Sequence, residues 1–439
     1  MKLTLDPGAA ALLDTLHAAG YAAYAVGGCV RDSLLGRTAH DWDLCTSALP
    51  QQVMELFGAE QCIPTGLQHG TVTIKYGGQL YETTTFRTEG SYTDGRHPDA
   101  VQFVPDVRED LARRDFTINA MAYNEAEGLV DPFGGQADLQ NGLLRAVGEP
   151  QQRFTEDALR ILRGVRFASE LGFAIEGNTA AAMRRQLGRL SCVAAERVRE
   201  ELTRLLCGRW AQRTLLKYND IIGAALPELV PMFGCTQDNP HHCYDVWGHT
   251  VRAVGQVPSE PCLRWAMLLH DSGKPACKTV DEQGVGHFRG HPKYSRALAG
   301  TLLPRLRFSK EDTERILLLV EQHDRPLGDS EKLVRRSLAR LGEARFRDLL
   351  MIKKGDAVGQ NTQPWDVGTL CATERMLNEV LRQNACLSLR QLAVNGHDMQ
   401  ALGLSGAAIG GMLRYLLDAV LDDESRNRRE ILLRLARTE

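Results

Sequence analysis

The sequence predicts an α+β chain: a mixed-sheet N-terminal part followed by all-helical segments. Three observations carry this. "YAAYAVGG", residues 21–28, reads as a short strand running into a Gly-Gly turn. "HGTVTIKYGGQLYETTTFR", residues 69–87, alternates as a hairpin does, with "YGGQ" as its turn. From about residue 150 onward apolar residues recur instead at spacings of three and four, as on helices.

At 439 residues the chain has room for two to four domains, and with 43% apolar and 24% charged residues its composition is globular. No apolar run of about 18 residues and no signal-peptide core are visible, so no membrane partner is expected. The eleven cysteines form no Cys-X-X-Cys pair and are odd in number, which predicts free thiols in a reducing cytoplasm. A formal net charge of −3 restricts any nucleic-acid surface to a local basic patch.

Taken in order, "CVRDSLLG" predicts a short helix closed by Gly36. Its start, after Gly27 and Gly28, is a natural anion site, because no Cβ blocks approach to the backbone. "HDWDLCT" alternates as a strand, which would put Asp41 and Asp43 on one face. Two converging carboxylates call for a cation, and oxygen donors suit Mg²⁺, which keeps positions for water and substrate phosphates. The joint expectation is a triphosphate on the glycines and a divalent metal on the aspartates.

The stretch "GGCVRDSLLGRTAHDWDL" resembles the signature of the class II tRNA nucleotidyltransferase and bacterial poly(A) polymerase family, and further stretches match in order through about residue 230. The resemblance implies a polymerase-β-like nucleotidyltransferase head that adds or repairs CCA at tRNA 3′ ends, using CTP and ATP. It implies that Asp41 and Asp43, with Glu82 on the second hairpin strand, are catalytic and hold two Mg²⁺ ions. Gly27, Gly28 and Arg31 are then expected on the triphosphate. Arg114, Asp115 and Asn119 of "LARRDFTINAMAYN" are expected on ribose and phosphate, and Arg87, at a strand end, is placed to meet phosphate. The polar stretch 88–102 occupies the position of the family's flexible loop, which helps the switch from C to A addition; this speaks against an enzyme that adds only C.

"RFTEDALRILRGVRFASELG", residues 153–172, predicts one helix with Thr155 as N-cap and Glu156 and Asp157 in its first turn. Leu162, Val165 and Ala168 form its apolar stripe; Asp157, Arg160 and Gly164 fall on another face, Arg163 lies further round and Arg166 points elsewhere. Cytosine and adenine both present an amine donor beside a ring-nitrogen acceptor. An Asp takes the amine and an Arg donates to the ring nitrogen, whereas guanine and uracil reverse the pattern and leave buried groups unpaired, at roughly 1–3 kcal/mol each. The family's EDxxR motif has this role, and Glu156, Asp157 and Arg160 match it; Arg163 completes the expected nucleotide-binding set. "SCVAAERVREELTRLL", residues 191–206, is expected to buttress the neck without chemistry of its own.

Seven of the twelve histidines lie between 241 and 323. His249 on one helix, the doublet His270-Asp271 ending "LRWAMLLHDSGKP", and Asp356 in "MIKKGDAVGQN" resemble the HD superfamily of metal phosphohydrolases. Such a site offers mixed nitrogen and oxygen ligands for Ni²⁺, Mn²⁺ or another divalent metal, with His287, His291 and His323 available to a second metal or a phosphate. The helical remainder resembles the segment with which the family holds the tRNA elbow. The expected division is a head over 1–140, a neck over 141–235, an HD domain over 236–356 and a tail over 357–439. The competing readings are an A-adding enzyme, a poly(A) polymerase, whose C-terminal region is usually more basic, and an HD phosphohydrolase with a degenerate head.

Overall fold

The computed structural model describes residues 2–90, 101–238, 243–360 and 367–438. The chain divides into two compact units, Met1–Pro227 and Glu228–Glu439. In the first, β1 (Ala23–Val26) and β2 (Leu44–Thr46) are short and fully buried, and they flank the helix Gly28–Leu34. β3 (Cys62–Gly66), β4 (Thr71–Tyr76) and β5 (Gln79–Thr85) follow, and then, beyond the separate two-stranded pair β6 (Arg87–Glu89) and β7 (Val101–Phe103), β8 (Ala122–Asn124) and β9 (Gly128–Val130). The main sheet runs β3-β4-β5-β2-β1-β8-β9, with β2 and β5 parallel and the other pairs antiparallel. The β4–β5 turn is the expected one. Gly77 and Gly78 have φ of +58° and +80°, the positive pair that a two-residue turn matching strand twist requires. Tyr24, Val26, Cys45, Phe86, Leu111 and Ala122 share the buried core that fixes these strands. Residues 91–100 of the expected 88–102 loop lie outside the described residues.

Two local expectations fail for visible reasons. Asp41 and Asp43 are not on a strand: the β1–β2 ladder begins at Leu44, opposite Ala25. The last contact, Val26 N–H to the Asp43 carbonyl at 2.9 Å, is where β1 turns away at Gly27. The predicted single helix is also broken. It becomes Pro150–Glu156 and Leu159–Leu171, with Asp157 extended between them at φ −141°, ψ 107°. Thr155 is no N-cap. Its hydroxyl donates to the Gln151 carbonyl in the last turn of the first helix, while Asp157 Oδ1 accepts the Leu159 N–H at 2.9 Å. The stripe Leu162, Val165, Ala168 is buried as expected. Gly164 is not on the Asp157/Arg160 face: a Cβ there would stand 2.9 Å from Met183 Cε and 3.0 Å from Phe116 Cζ, so it faces the core.

The second unit is helical, with one short hairpin, Thr279–Val280 against Gly286–His287, among its described residues. The helices Val246–Gln256, Pro261–Leu269, His291–Arg305, Lys310–Gln322 and Glu343–Gly359 carry its titratable cluster. A separate core of Met399, Leu416, Val420 and Leu432 ties together the last helices. Among the described residues no helix is long and apolar enough to cross a membrane.

Candidate active site

In the first unit a cleft of about 580 Å³ gathers most of the residues singled out from the sequence: Gly27, Gly28, Arg31, Asp41, Asp43, Arg114, Asp115, Asn119, Asp157, Arg160 and Arg163. Eight arginines and five aspartates line it, so an anion finds excess positive charge there although the whole chain is slightly acidic.

Gly27 has φ +80°, and a Cβ on it would fall 3.0 Å from Arg114 Nη1. Its own N–H is spent on the Met121 carbonyl at 3.1 Å. The glycine therefore lets a guanidinium lie against the turn rather than offering an amide to phosphate. Arg31 is aimed by Asp32, at 2.9 Å from both Nε and Nη2, and by Asn119 Oδ1, which accepts from Nη1 at 2.7 Å. Asn119 Nδ2 in turn donates to Asp115 Oδ1 at 3.2 Å, and Arg163 Nε donates to Asp115 Oδ2 at 2.7 Å. Both ends of the Asn119 amide are thus engaged in orienting the cleft. Burial alone would raise the Asp115 carboxyl, but the Arg163 charge and the hydrogen bonds from Arg163 and Asn119 outweigh it and lower the pKa to about 2.

The metal candidates behave differently. Leu44 pairs with Thr83 across β2 and β5, so Asp43 and Glu82 sit side by side just ahead of that pair. Burial pushes the Asp43 carboxyl up; the Arg114 charge opposes this, while Glu82 and Asp41 reinforce it. The donor set is one that a hard cation would relieve. It is an open set: among the described residues the groups of three ligand atoms within 4.8 Å of one another all lie in the second unit. Arg87 does not join the cleft lining, and its guanidinium donates to the His69 carbonyl.

Asp157 and Arg160 leave complementary groups open. Asp157 Oδ1 takes the Leu159 N–H, and Arg197 bridges both oxygens, with Nη2 2.7 Å from Oδ2 and Nη1 3.4 Å from Oδ1. Arg160 donates through Nη1 to Glu156 Oε2 at 2.6 Å and the Arg153 carbonyl at 3.2 Å, and through Nη2 to the Arg113 carbonyl at 3.0 Å. That leaves an acceptor on the aspartate and N–H donors on the arginine. Arg166 does not point elsewhere: it lines the cleft, held by Glu201 at 2.5 Å and lying 4.0 Å over the Phe167 ring.

Sequence reasoning missed Arg197 and Asp110. Asp110 is fully buried and pairs with Arg113 at 2.9 Å and Arg114 at 3.4 Å. Burial raises its carboxyl, yet those two arginines win and hold it below the usual range. The i,i+3 and i,i+4 spacing in "DLARR" was the available signal.

In the second unit His249, His270, Asp271 and Asp356 do converge. His249 Nε2 lies 3.3 Å from Asp271 Oδ2 and 3.0 Å from Asp356 Oδ1, and His270 Nε2 lies 3.2 and 3.5 Å from the same atoms. Burial opposes charge on His270, but Asp271 and Asp356 outweigh it and bring its pKa to about 10. His291 and His323 join through Asp271 Oδ1, at 3.2 and 3.8 Å. Their Nδ1 atoms lie 3.0 Å from the Phe288 carbonyl and 2.7 Å from the Val320 carbonyl, which assigns the ring proton to Nδ1. Two Nε2 lone pairs then face each other at 3.1 Å beside a carboxylate. Burial, with the His270 charge, lowers the His323 pKa to about 4. Two imidazole nitrogens converging beside a carboxylate form a donor set that suits a divalent cation. His287 stays out: on its hairpin it pairs with Asp281 at 2.7 Å.

Known proteins resemble this chain in sequence and fold. Residues 23–145 match the family model described as poly A polymerase head domain, and residues 172–231 match the probable RNA and SrmB-binding site of polymerase A. The chain is 52% identical over 198 residues to a CCA-adding enzyme of Lactiplantibacillus plantarum, covering 45% of this chain and 48% of that one. It is 49% identical over 262 residues to a CCA-adding enzyme of Levilactobacillus brevis, covering 60% and 63%. These matches span from about half to under two thirds of the curated relatives' length. The crystal structure of the Bacillus stearothermophilus CCA-adding enzyme in complex with CTP superposes with a TM-score of 0.75 at 29% identity, over 98% of this chain and 97% of that one. A Thermotoga maritima CCA-adding enzyme complexed with tRNA shares the fold at 20% identity and a TM-score of 0.61, over 99% of this chain and 97% of that one.

Proposed function

We propose that this chain, which carries the poly A polymerase head and its RNA-binding companion, is a template-independent nucleotidyltransferase that adds or repairs the 3′-terminal CCA of tRNA from CTP and ATP. The observation that carries the reading is one cationic cleft holding both the clustered carboxylates Asp41 and Asp43 and the open acceptor–donor pair Asp157 and Arg160. Arg31 and Arg114 bind the triphosphate, each aimed by a neighbouring carboxylate. Asp157 accepts the exocyclic amine of cytosine or adenine, and Arg160 donates to the ring nitrogen beside it. Asp41 and Asp43, with Glu82, would hold Mg²⁺, which when bound supplies Lewis-acid charge for the attacking hydroxyl and the leaving pyrophosphate. The four-part division at 140, 235 and 356 is part of this reading.

The RNA side rests on a surface within the second matched stretch. Trp210 and Leu216 are exposed large apolar residues there, and Arg209, Arg213 and Lys217 line the same opening. These three cations pair with no carboxylate among the described residues. Unpaired cations beside an exposed aromatic suit a phosphate backbone with a stacking base. The test supplies tRNA ending at the discriminator base, at C and at CC, with each nucleotide separately. CTP should extend the first two and ATP the third; extension by ATP alone from every end would make the chain an A-adding enzyme or poly(A) polymerase.

The histidine cluster favours a second activity. His249, His270, Asp271 and Asp356, with His291 and His323, would hold Ni²⁺, Mn²⁺ or a similar metal. A phosphohydrolase there suits removal of a 3′-terminal or 2′,3′-cyclic phosphate before extension. Assay of a 2′,3′-cyclic nucleotide across several metals tests it; no hydrolysis with any of them would make the cluster structural.

A further inference from the structure

We infer that Arg197 is a positioning residue for nucleotide selection, acting through Asp157; the inference rests on the base-reading role proposed for Asp157. Arg197 is in the first turn of the helix Ala195–Cys207, 40 residues beyond its partner, and both side chains line the cleft. A carboxylate offers about four lone pairs. Oδ1 of Asp157 spends its pair on the Leu159 N–H and Arg197 Nη1, and Oδ2 spends one on Arg197 Nη2. One lone pair on Oδ2 remains. The two-point grip also fixes the carboxylate plane, which the single backbone bond at Leu159 leaves free to rotate.

Selectivity follows from that geometry. One fixed acceptor takes one amine hydrogen, as cytosine and adenine provide. It meets the carbonyl oxygen of uracil or guanine as acceptor against acceptor. A carboxylate that can rotate turns aside and admits a bridging water, and the rejection weakens. Lysine cannot replace the grip, because an ammonium is a point donor without the guanidinium fork.

The experiment measures kcat/KM for CTP and for UTP on tRNA lacking its CCA, with wild type, Arg197→Ala, Asp157→Ala and the double variant. Arg197→Ala should lower the CTP-over-UTP ratio by roughly ten-fold or more, since lost discrimination of this kind is worth at least that. Arg197→Lys should fall between it and wild type. In the Asp157→Ala background the Arg197 substitution should change the ratio no further, because its effect passes through the missing carboxylate. An unchanged ratio in folded Arg197→Ala would overturn the inference, as would effects of the two substitutions that multiply. If the alanine variant does not fold, Arg197→Gln carries the same test. A wild type that adds no C at all would instead remove the proposed function, so the two failures are distinguishable.

Discussion

The cleft of the first unit and the histidine cluster of the second treat carboxylates in opposite ways. In the cleft Asp32, Asp115 and Asp157 are each gripped by an arginine, and Asp110 behind it grips two. Those ion pairs fix the charged groups that line the cleft. Asp41 and Asp43, the ones assigned to metal, have no ion pair among the described residues. In the second unit Asp271 and Asp356 face histidine rings, with Lys274 Nζ also 2.7 Å from Asp271 Oδ2, and the ligand set is closed. An open carboxylate pair in a cationic cleft suits a metal that arrives with a polyphosphate. A closed nitrogen and oxygen set suits a resident metal.

The largest effect should come from the open pair. Asp41→Ala or Asp43→Ala should lower nucleotide addition by about a thousand-fold or more, the several kcal/mol that metal-held charge stabilisation provides. Thermal stability should hardly change, because neither carboxylate has an ionic partner to lose. Near-normal incorporation by either variant would break the comparison on its first side. On the other side, His270→Ala with Asp271→Ala should remove any Ni²⁺- or Mn²⁺-dependent hydrolysis of a 2′,3′-cyclic nucleotide while leaving CCA addition largely intact. Parallel assays of both activities decide this, and loss of CCA addition in a folded double variant would mean that the two sites are not independent.

Smaller effects sharpen the picture. Asp157→Ala should relax the preference for CTP over UTP by roughly ten- to a hundred-fold, following the 1–3 kcal/mol of an unpaired buried group. Asp115 makes a pH signature. Its folded pKa of about 2 lies below the unfolded carboxyl near 3.9, so its stabilisation is present above about pH 4 and fades as pH falls toward 2. Urea unfolding of Asp115→Asn should show a deficit of about 2 kcal/mol at pH 7 that shrinks at pH 3. Least of all, Arg213→Ala with Lys217→Ala should weaken tRNA binding modestly and flatten its dependence on log salt by about 1–2 units. An unchanged slope would move the RNA surface elsewhere.

What was legible in the sequence was local. The Gly77-Gly78 turn needs only two positive φ values, and the Asp41-Trp42-Asp43 and His270-Asp271 stretches bring their titratable groups together within three residues of sequence. Tertiary partners were not legible. Nothing near Asp157 announces Arg197, and at the break the Asp157 carboxylate accepts the Leu159 N–H, a contact that helical spacing does not reveal. The three histidines 287, 291 and 323 looked alike in the sequence. A hairpin hands His287 to Asp281, while helix ends carry His291 and His323 to Asp271.

The most direct measurement supplies all four nucleoside triphosphates with Mg²⁺ to tRNA lacking its CCA and sequences the product 3′ ends. A cleft whose base-reading pair accepts cytosine and adenine, and whose RNA surface holds tRNA, should yield C, C, A and then stop, with little U or G at any position. A lengthening run of A, unselective incorporation, or no extension by the folded protein would contradict the account.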